Sequence, residues 1–263
     1  MKIQLLVSAV NQDVPALIGQ MHIQTDAVVV NQCDRYGYEE ITDTGHRIQV
    51  FSMKERGVGL SRNTALLHAG GEICVFSDED IVLCEGYADK IRKAYEELPE
   101  ADMILVNVKV APSRRTYWNE DIHRINGRNY GRYPAYSITA RRDALLRANV
   151  HYSLLFGGGA KYSNGEDSLF LKDCLKAGLR IYSHTVCIGE ETERESTWFH
   201  GYHEKFFRDR GVLYHYLYGR LALPLAFRFL WVHRAEMCRE IPVRQAYAWM
   251  KAGVREAGHR TGV

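Results

Sequence analysis

Short apolar runs alternate with stretches of helical spacing along residues 3–110. The apolar runs are rich in β-branched residues and predict strands at residues 3–10, 26–32, 46–52, 72–77 and 101–110. Helical patterns begin near Asp13 and also cover residues 58–71 and 85–100. The order β-α-β-β-α-β-α-β predicts an α/β fold with three layers and a mostly parallel sheet.

The C-terminal part has a different pattern, with aromatic-rich stretches that read as amphipathic helices. We therefore predict a catalytic domain over residues 1–198 and a helical extension over residues 199–263. The extension carries 11 Lys/Arg against five Asp/Glu, a net charge of +6, which leaves residues 1–198 at −4 within a total of +2. This asymmetry argues against general nucleic-acid binding. It favours a cation bound by the acidic residues 1–198. The basic extension would then contact an anionic surface, a second copy of the chain or residues 1–198 themselves.

The six cysteines show neither a CxxC pair nor metal-ligand spacing, and several lie in apolar stretches. Free thiols in a reducing compartment are the better interpretation. The first residues lack the cleavage site of a signal peptide, and no stretch reaches the roughly 20 apolar residues of a membrane span. We expect a cytoplasmic protein, either free or peripheral on the inner membrane leaflet.

Polar side chains follow several of the predicted strands. They are Ser8, Asn11, Asn31, Asp34 and the acidic run Asp78-Glu79-Asp80. Each of these residues, taken alone, is better interpreted as a loop or cap residue. Ligands bind at the carboxyl ends of strands in open α/β sheets, so together these residues predict a site at that edge.

Three motifs that would name a ligand are missing from the sequence. The first strand is followed by neither G-x-G-x-x-G nor the phosphate loop G-x-x-x-x-G-K-[ST], which argues against a dinucleotide site and an NTPase. The glycine-rich, arginine-containing loop of sugar nucleotidyltransferases is missing from the same position. The site must therefore be identified by its carboxylates.

In an extended strand, Asp78 and Asp80 point to one side and Glu79 to the other. Two carboxylates on one side suit Mg²⁺ or Mn²⁺, which fill their coordination shell with water and substrate phosphates. Such a cation would offset the repulsion between these charges. A solvated acidic turn is the alternative, and the pattern alone does not decide between them.

A longer stretch around these carboxylates carries a family resemblance. "ERGVGLSRNTALLHAGGEICVFSDED" resembles the signature of family-2-like inverting glycosyltransferases with the GT-A fold, with one extra glycine before the Gly-Glu pair. The resemblance implies that Asp80 binds the metal and that Asp78 contacts the ribose or the metal. Arg62, in the first turn of a helix, is expected near the donor diphosphate. The other donor-binding residues are expected to be Ser8, Ala9, Asn11, Asn31 and Asp34.

A second stretch, "FGGGAKYSNGEDSLFLKDCLKAGLRIYS", is similar to the acceptor-side segment of the same family. The resemblance implies that Asp167 is the general base of an inverting transfer. Glu166 and Trp198 are expected on the acceptor side. Asp167 is equally suited to be a helix N-cap. Relatives often supply a histidine metal ligand further along, where His184, His200 and His203 compete.

The residues and the resemblance together predict a metal-dependent inverting glycosyltransferase. Its cofactor would be Mn²⁺ or Mg²⁺ and its donor a nucleotide-sugar, UDP-linked by family frequency. The acceptor would be a saccharide or lipid-linked saccharide in glycan or polysaccharide biosynthesis. A non-catalytic nucleotide-sugar or glycan-binding protein on the same fold is the alternative.

The segment between the two motifs is rich in arginine and aromatic residues. Its aromatic residues include Tyr117, Trp118, Tyr130, Tyr133 and Tyr136. They either stack on sugar rings or pack within an ordinary loop, and the sequence supports both.

Overall fold

The computed structural model describes residues 1–192 and 201–260 of the chain. The strands are β1 (Ile3–Val10), β2 (Asp26–Gln32), β3 (Gly37–Asp43), β4 (His46–Met53), β5 (Ile73–Asp78), β6 (Ile81–Leu83), β7 (Met103–Lys109), β8 (Ile138–Arg141) and β9 (Ile181–Glu191). The helices are α1 (Val14–Gln20), α2 (Val58–His68), α3 (Tyr87–Glu97), α4 (Arg142–Ala148), α5 (Glu166–Lys176), α6 (Glu204–Tyr218), α7 (Ala222–Met237) and α8 (Val243–Arg260).

The strands form one sheet in the order β3-β4-β2-β1-β5-β8-β7-β9-β6. The sheet is mixed, in place of the predicted mostly parallel sheet. Four strands next to one another, β4, β2, β1 and β5, are parallel. Antiparallel pairs arise because β3 returns to β4 as a hairpin, β8 lies between β5 and β7, and β6 pairs with β9.

Each face of the sheet has its own hydrophobic core. Along β1, Leu5 and Val7 pack in the core that α1 and α3 cover, whereas Leu6 packs in the core that α2 and α5 cover. This alternation is the period-two rule for strands that are buried on both faces. The predicted three layers are therefore present, with helices on both sides of the sheet.

The pattern of apolar residues did not predict β3, β6 or β8. Most side chains of β3 are exposed, so this edge strand lacks an apolar face, and its hairpin turns at Thr44 and Gly45, both with positive φ. The strands β6 and β8 have three and four residues, which are too short to show a period.

The helices α6 to α8 have a core of their own, in which Phe207, Leu230 and Met250 are buried. The helices α6 and α8 cross closely at Gly211 and Gly253. A Cβ at Gly211 would lie 2.0 Å from the carbonyl oxygen of Met250, so a side chain is excluded there. None of the helices in the described ranges is both long and apolar enough to cross a membrane.

The extension also packs onto the rest of the chain. Val212 and Leu213 of α6 belong to the core between the sheet and α5, and Leu213 lies against Gly165 at the start of α5. Glu256 of α8 forms ion pairs with Lys161 and Arg208 and accepts a hydrogen bond from the Tyr162 hydroxyl. The domain boundary near residue 198 stays a prediction.

Candidate active site

A cleft of about 690 Å³ opens at the carboxyl ends of β1, β2 and β5. The strand β1 pairs with both neighbours, and its Ser8 lies beside Asp78 in register. The lining residues are Ser8, Val10, Asn11, Gln32, Arg56, Val58, Arg62, Asp78, Glu79, Asp80, Arg114, Tyr136, Gly158, Gly159, Glu166 and Glu191. The cleft is thus at the edge of the sheet where the sequence predicts a site.

Arg62, from the first sequence motif, contacts carboxylates of both motifs. Its guanidinium lies 2.9 Å from Asp78, 2.9 Å from Asp167 and 3.1 Å from Glu166. The Arg62 side chain is 5% exposed, so these charge-assisted hydrogen bonds are sheltered from water. One guanidinium faces three carboxylates, which leaves this buried cluster with an excess of negative charge.

The position of Arg62 differs from the sequence prediction in one respect. The helix α2 begins at Val58, so Arg62 lies in its second turn rather than its first. Its terminal nitrogens bind carboxylates of β5 and α5, and the expected contact with a diphosphate stays a prediction. The ring of Tyr152 supports the guanidinium from one side, at 5.3 Å from its central carbon.

Asp167 lies in the first turn of α5, beside the cleft. Gly165 is the N-cap residue of this helix and Asp167 lies two residues further along, so Asp167 is not the cap that the alternative interpretation required. Burial, the neighbouring charge of Glu166 and the nearby Asp78 raise the pKa of Asp167 to about 8, while Arg62 opposes this shift. The Asp167 side chain keeps 22% exposure, so its carboxylate stays in contact with solvent beside the cleft.

Glu166 is more deeply buried than Asp167 and lines the cleft. It packs against Gly157, where a Cβ would lie 2.8 Å from the Glu166 carboxyl carbon and 2.6 Å from Val58. Gly157 also has a φ of +102°, so a side chain would be strained there for two reasons. The glycine-rich loop therefore fits closely around the carboxylates. Trp198, the other expected acceptor residue, lies outside the described residues.

The acidic run follows β5 as predicted, but its geometry differs. The strand ends at Asp78, and Asp80 lies in the turn before β6, so the alternation argument does not extend to Asp80. All three carboxylates line the cleft. Glu79 accepts a hydrogen bond of 2.7 Å from the backbone N–H of Val10 and so connects the ends of β5 and β1.

The donor set at this turn fits a hard divalent cation that completes its shell with phosphate and water. Asp78 and Asp80 supply carboxylate oxygens, the ligands that Mg²⁺ and Mn²⁺ prefer. Among residues 1–192 and 201–260, no group of three or more His, Cys, Asp or Glu side chains is arranged to hold a metal by itself. A metal here would therefore depend on the ligands that the substrate brings.

The histidines considered as a third metal ligand bind other partners or lie outside the described residues. His184 is buried, with its ring nitrogens 3.1 Å from the Glu97 carboxylate and 3.0 Å from the backbone N–H of Val186. His203 caps α6 by accepting a hydrogen bond from the backbone N–H of Phe206. His200 lies outside the described residues.

The donor residues predicted after β1 and β2 occupy different environments. Ser8 and Asn11 line the cleft, but Ala9 is fully buried in the core. Asn31 is also buried and holds the loop after β1, because its side-chain amide binds both backbone groups of Gln12. Asp34 is exposed and forms an ion pair of 3.2 Å with Arg56, outside the cleft lining.

Sequence reasoning missed several residues that line the cleft. Arg56 donates hydrogen bonds to the Gln32 carbonyl and to Asn11, and Gln32 accepts one of 2.7 Å from the backbone N–H of Gly57. Arg56 lies in the first motif, at residues 55–80, and Gln32 directly follows Asn31 at the end of β2. Both residues could therefore have been predicted at the site from their positions in the sequence.

Two residues of the middle segment also reach the cleft. Arg114 forms an ion pair of 2.8 Å with Glu191 of β9, a partner that is distant in sequence. Tyr136 lines the cleft, and burial raises its pKa, so its hydroxyl stays protonated. Tyr117, Tyr130 and Tyr133 are buried in the core instead.

Solved structures share this fold. The structure of S. aureus TarS residues 1–349 in complex with UDP-GlcNAc matches with a TM-score of 0.64 and 16% identity, over 100% of this chain and 92% of that one. The mannosyltransferase PcManGT from Pyrobaculum calidifontis, in complex with GDP-Man and Mn²⁺, matches with a TM-score of 0.54 and 14% identity, over 98% and 75%. The fold of the chain is therefore GT-A-like, as the sequence predicts.

The family follows from the sequence comparison. Residues 4–153 match the model of Glycosyl transferase family 2, which is more than half of the chain. The chain therefore belongs to Glycosyl transferase family 2 and is an enzyme, so the non-catalytic alternative is set aside. No curated protein matches the chain significantly.

Proposed function

We propose that the chain is a metal-dependent, inverting glycosyltransferase. The donor is a nucleotide-sugar, UDP-linked, and the acceptor is a saccharide or lipid-linked saccharide in glycan or polysaccharide biosynthesis. The observation that carries this proposal is the Arg62 cluster, because it places Asp78 of the acidic run and Asp167 of the second motif on one guanidinium. Donor and acceptor sides of the site are then adjacent.

The charge of the cleft supports a cation. The described lining residues include three arginines (Arg56, Arg62 and Arg114) against five carboxylates (Asp78, Glu79, Asp80, Glu166 and Glu191). A donor diphosphate would add negative charge to a site that already has an excess of it. Mn²⁺ or Mg²⁺ at Asp78 and Asp80 would offset both.

Asp167 is the residue that we assign as general base. It accepts the proton of the acceptor hydroxyl while that oxygen attacks the anomeric carbon and the bond to the nucleoside diphosphate breaks on the opposite face. A carboxylate with a pKa of about 8 is a stronger base than an ordinary aspartate. When bound, the divalent cation would neutralise charge on the leaving phosphate.

Donor selection is assigned to the residues around the ends of β1 and β2. Ser8, Asn11, Gln32 and Arg56 line that part of the cleft, and Asn31 fixes the loop beside them. The solved structures of TarS and PcManGT hold UDP-GlcNAc and GDP-Man, respectively, which supports a nucleotide-sugar as the donor class. A cytoplasmic location, and either membrane contact or self-association through α6 to α8, stay predictions.

The experiment that tests this proposal measures thermal unfolding with UDP in the presence of Mn²⁺ or EDTA. UDP should stabilise the wild-type protein strongly with Mn²⁺ and weakly with EDTA, and Asp80→Ala should remove that difference. Asp13→Ala is a matched control, because Asp13 is exposed and caps no helix N–H. Equal stabilisation by UDP with Mn²⁺ and with EDTA would show that the metal assignment is wrong.

A further inference from the structure

The outward side of α7 exposes large apolar side chains. Leu221, directly before the helix, and Phe227, Trp231 and Val232 within it are 62%, 50%, 55% and 58% exposed. The opposite side of α7 is already buried through Ala222, Ala226 and Leu230. The helix is therefore apolar on the side that faces its neighbours and also on the side that faces away from them.

The charge around these side chains is positive. The sequence holds no acidic residue between Asp209 and Glu236. In the part of the chain that the structure describes, Arg220, Arg228 and Arg234 form no ion pair with a carboxylate.

Arg228 lies among the exposed apolar residues in the helical order, one turn before Trp231 and Val232. The guanidinium of Arg234 lies over the ring of Trp231, at 4.4 Å from its centre. Basic and aromatic side chains on one face are the composition of helices that lie in the interface of an anionic membrane.

We propose that this face, which we call the α7 face and define by Leu221, Phe227, Arg228, Trp231 and Val232, docks on an anionic lipid surface. The helix has 16 residues, too few to cross a bilayer, so it would lie in the plane of the interface. The aromatic and aliphatic side chains insert between the lipid headgroups, and the arginines bind their phosphates.

Charge favours lipid over a second copy of the chain as the occupant. In a two-fold contact, the same face meets itself, so Arg228 and its neighbours would approach their own equivalents without an acidic partner on the α7 face. An anionic lipid surface supplies the opposite charge instead. The proposal does not depend on the proposed reaction, and it accords with a lipid-linked acceptor.

The test measures binding of the full chain to vesicles by co-sedimentation at low and high salt. Vesicles contain phosphatidylcholine alone or phosphatidylcholine mixed with phosphatidylglycerol. The test variant is Arg228→Glu with Trp231→Ser. The matched control is Lys93→Glu with Leu67→Ser, which makes the same charge change and removes an exposed apolar side chain on α3 and α2.

Wild type and control should bind the anionic vesicles at low salt, and binding should weaken with salt. The test variant should lose at least about tenfold in partition coefficient, since it reverses one charge and removes the interfacial tryptophan. All three proteins should keep the same response to UDP and Mn²⁺, which separates this test from that of the proposed function.

Two results would overturn the proposal. The first is that wild type does not bind anionic vesicles, or that the test and control variants bind them equally well. The second is that wild type is a dimer in solution and only the test variant is a monomer, which would assign the α7 face to a second copy.

Discussion

The substitution Arg62→Met tests whether the guanidinium holds the centre of the site together. Arg62 is buried and binds three carboxylates at 2.9, 2.9 and 3.1 Å, so the variant leaves three acidic groups without their shared cation. Methionine keeps much of the apolar stem, which limits the packing loss. Removing one partner of a buried ion pair typically costs about 3–5 kcal/mol, and we expect a loss of unfolding free energy in that range near neutral pH.

The pH dependence of this loss makes the test sharper. Arg62 opposes the upward shift of the Asp167 pKa, so without the guanidinium this pKa rises above its wild-type value of about 8 in the folded state. The folded variant then holds a proton in a pH range where folded wild type has lost it. The loss of unfolding free energy in the variant should therefore become smaller as pH falls from about 10 to about 8, by roughly 1.4 kcal/mol per pH unit while the folded variant holds one proton more than folded wild type.

The assay is urea denaturation of wild type and variant at several pH values and constant ionic strength. The control is Arg180→Met, which breaks the exposed ion pair with Asp102 and should change stability little. If Arg62→Met costs no more unfolding free energy than the control, or if its cost is the same at all pH values, Arg62 does not hold these carboxylates together.

Three further predictions address the base, a buried hydroxyl and the extension. Asp167→Asn should lower transfer by roughly two orders of magnitude or more while UDP binding persists, and wild-type kcat/KM should fall as pH drops below the Asp167 pKa of about 8, because the base must be deprotonated. Full activity of this variant would refute the assignment. The buried hydroxyl of Tyr152 has no hydrogen-bond partner among the described residues, so Tyr152→Phe should leave stability unchanged or raise it by up to about 1 kcal/mol in urea denaturation. The control Tyr133→Phe removes a donor that binds Asn119 at 2.8 Å and should be destabilising; equal effects of the two changes would contradict this. A chain that ends at residue 192 should fail to fold by circular dichroism and gel filtration, because Val212 and Leu213 complete the core over α5, and a folded truncation would show that the extension is a separate unit.

The sequence predicted the strands and helices that are long enough for their burial to appear as a period in the pattern of apolar residues. The apolar run of β5 and the helical spacing of α3 are each decided by local pattern, and the predicted bounds differ from the observed ones by two or three residues at most. The mixed character of the sheet could not be predicted in this way. It depends on β8, four residues whose direction is set by their fit between β5 and β7 rather than by their own composition.

The candidate site shows the same division between local pattern and tertiary contact. The motifs predicted Arg62, Asp78 and Asp167 as site residues. However, Arg62 was expected to contact a diphosphate, and the two aspartates belong to separate motifs. Their meeting depends on how α5 docks against the end of β5, and 105 residues separate Arg62 from Asp167 along the chain. Burial strengthens the attraction between the guanidinium and each carboxylate, which offsets the cost of desolvating Arg62, and the guanidinium lies over the Tyr152 ring. No local signal in the sequence encodes one guanidinium against three carboxylates, because these contacts form only when α5 docks beside the end of β5.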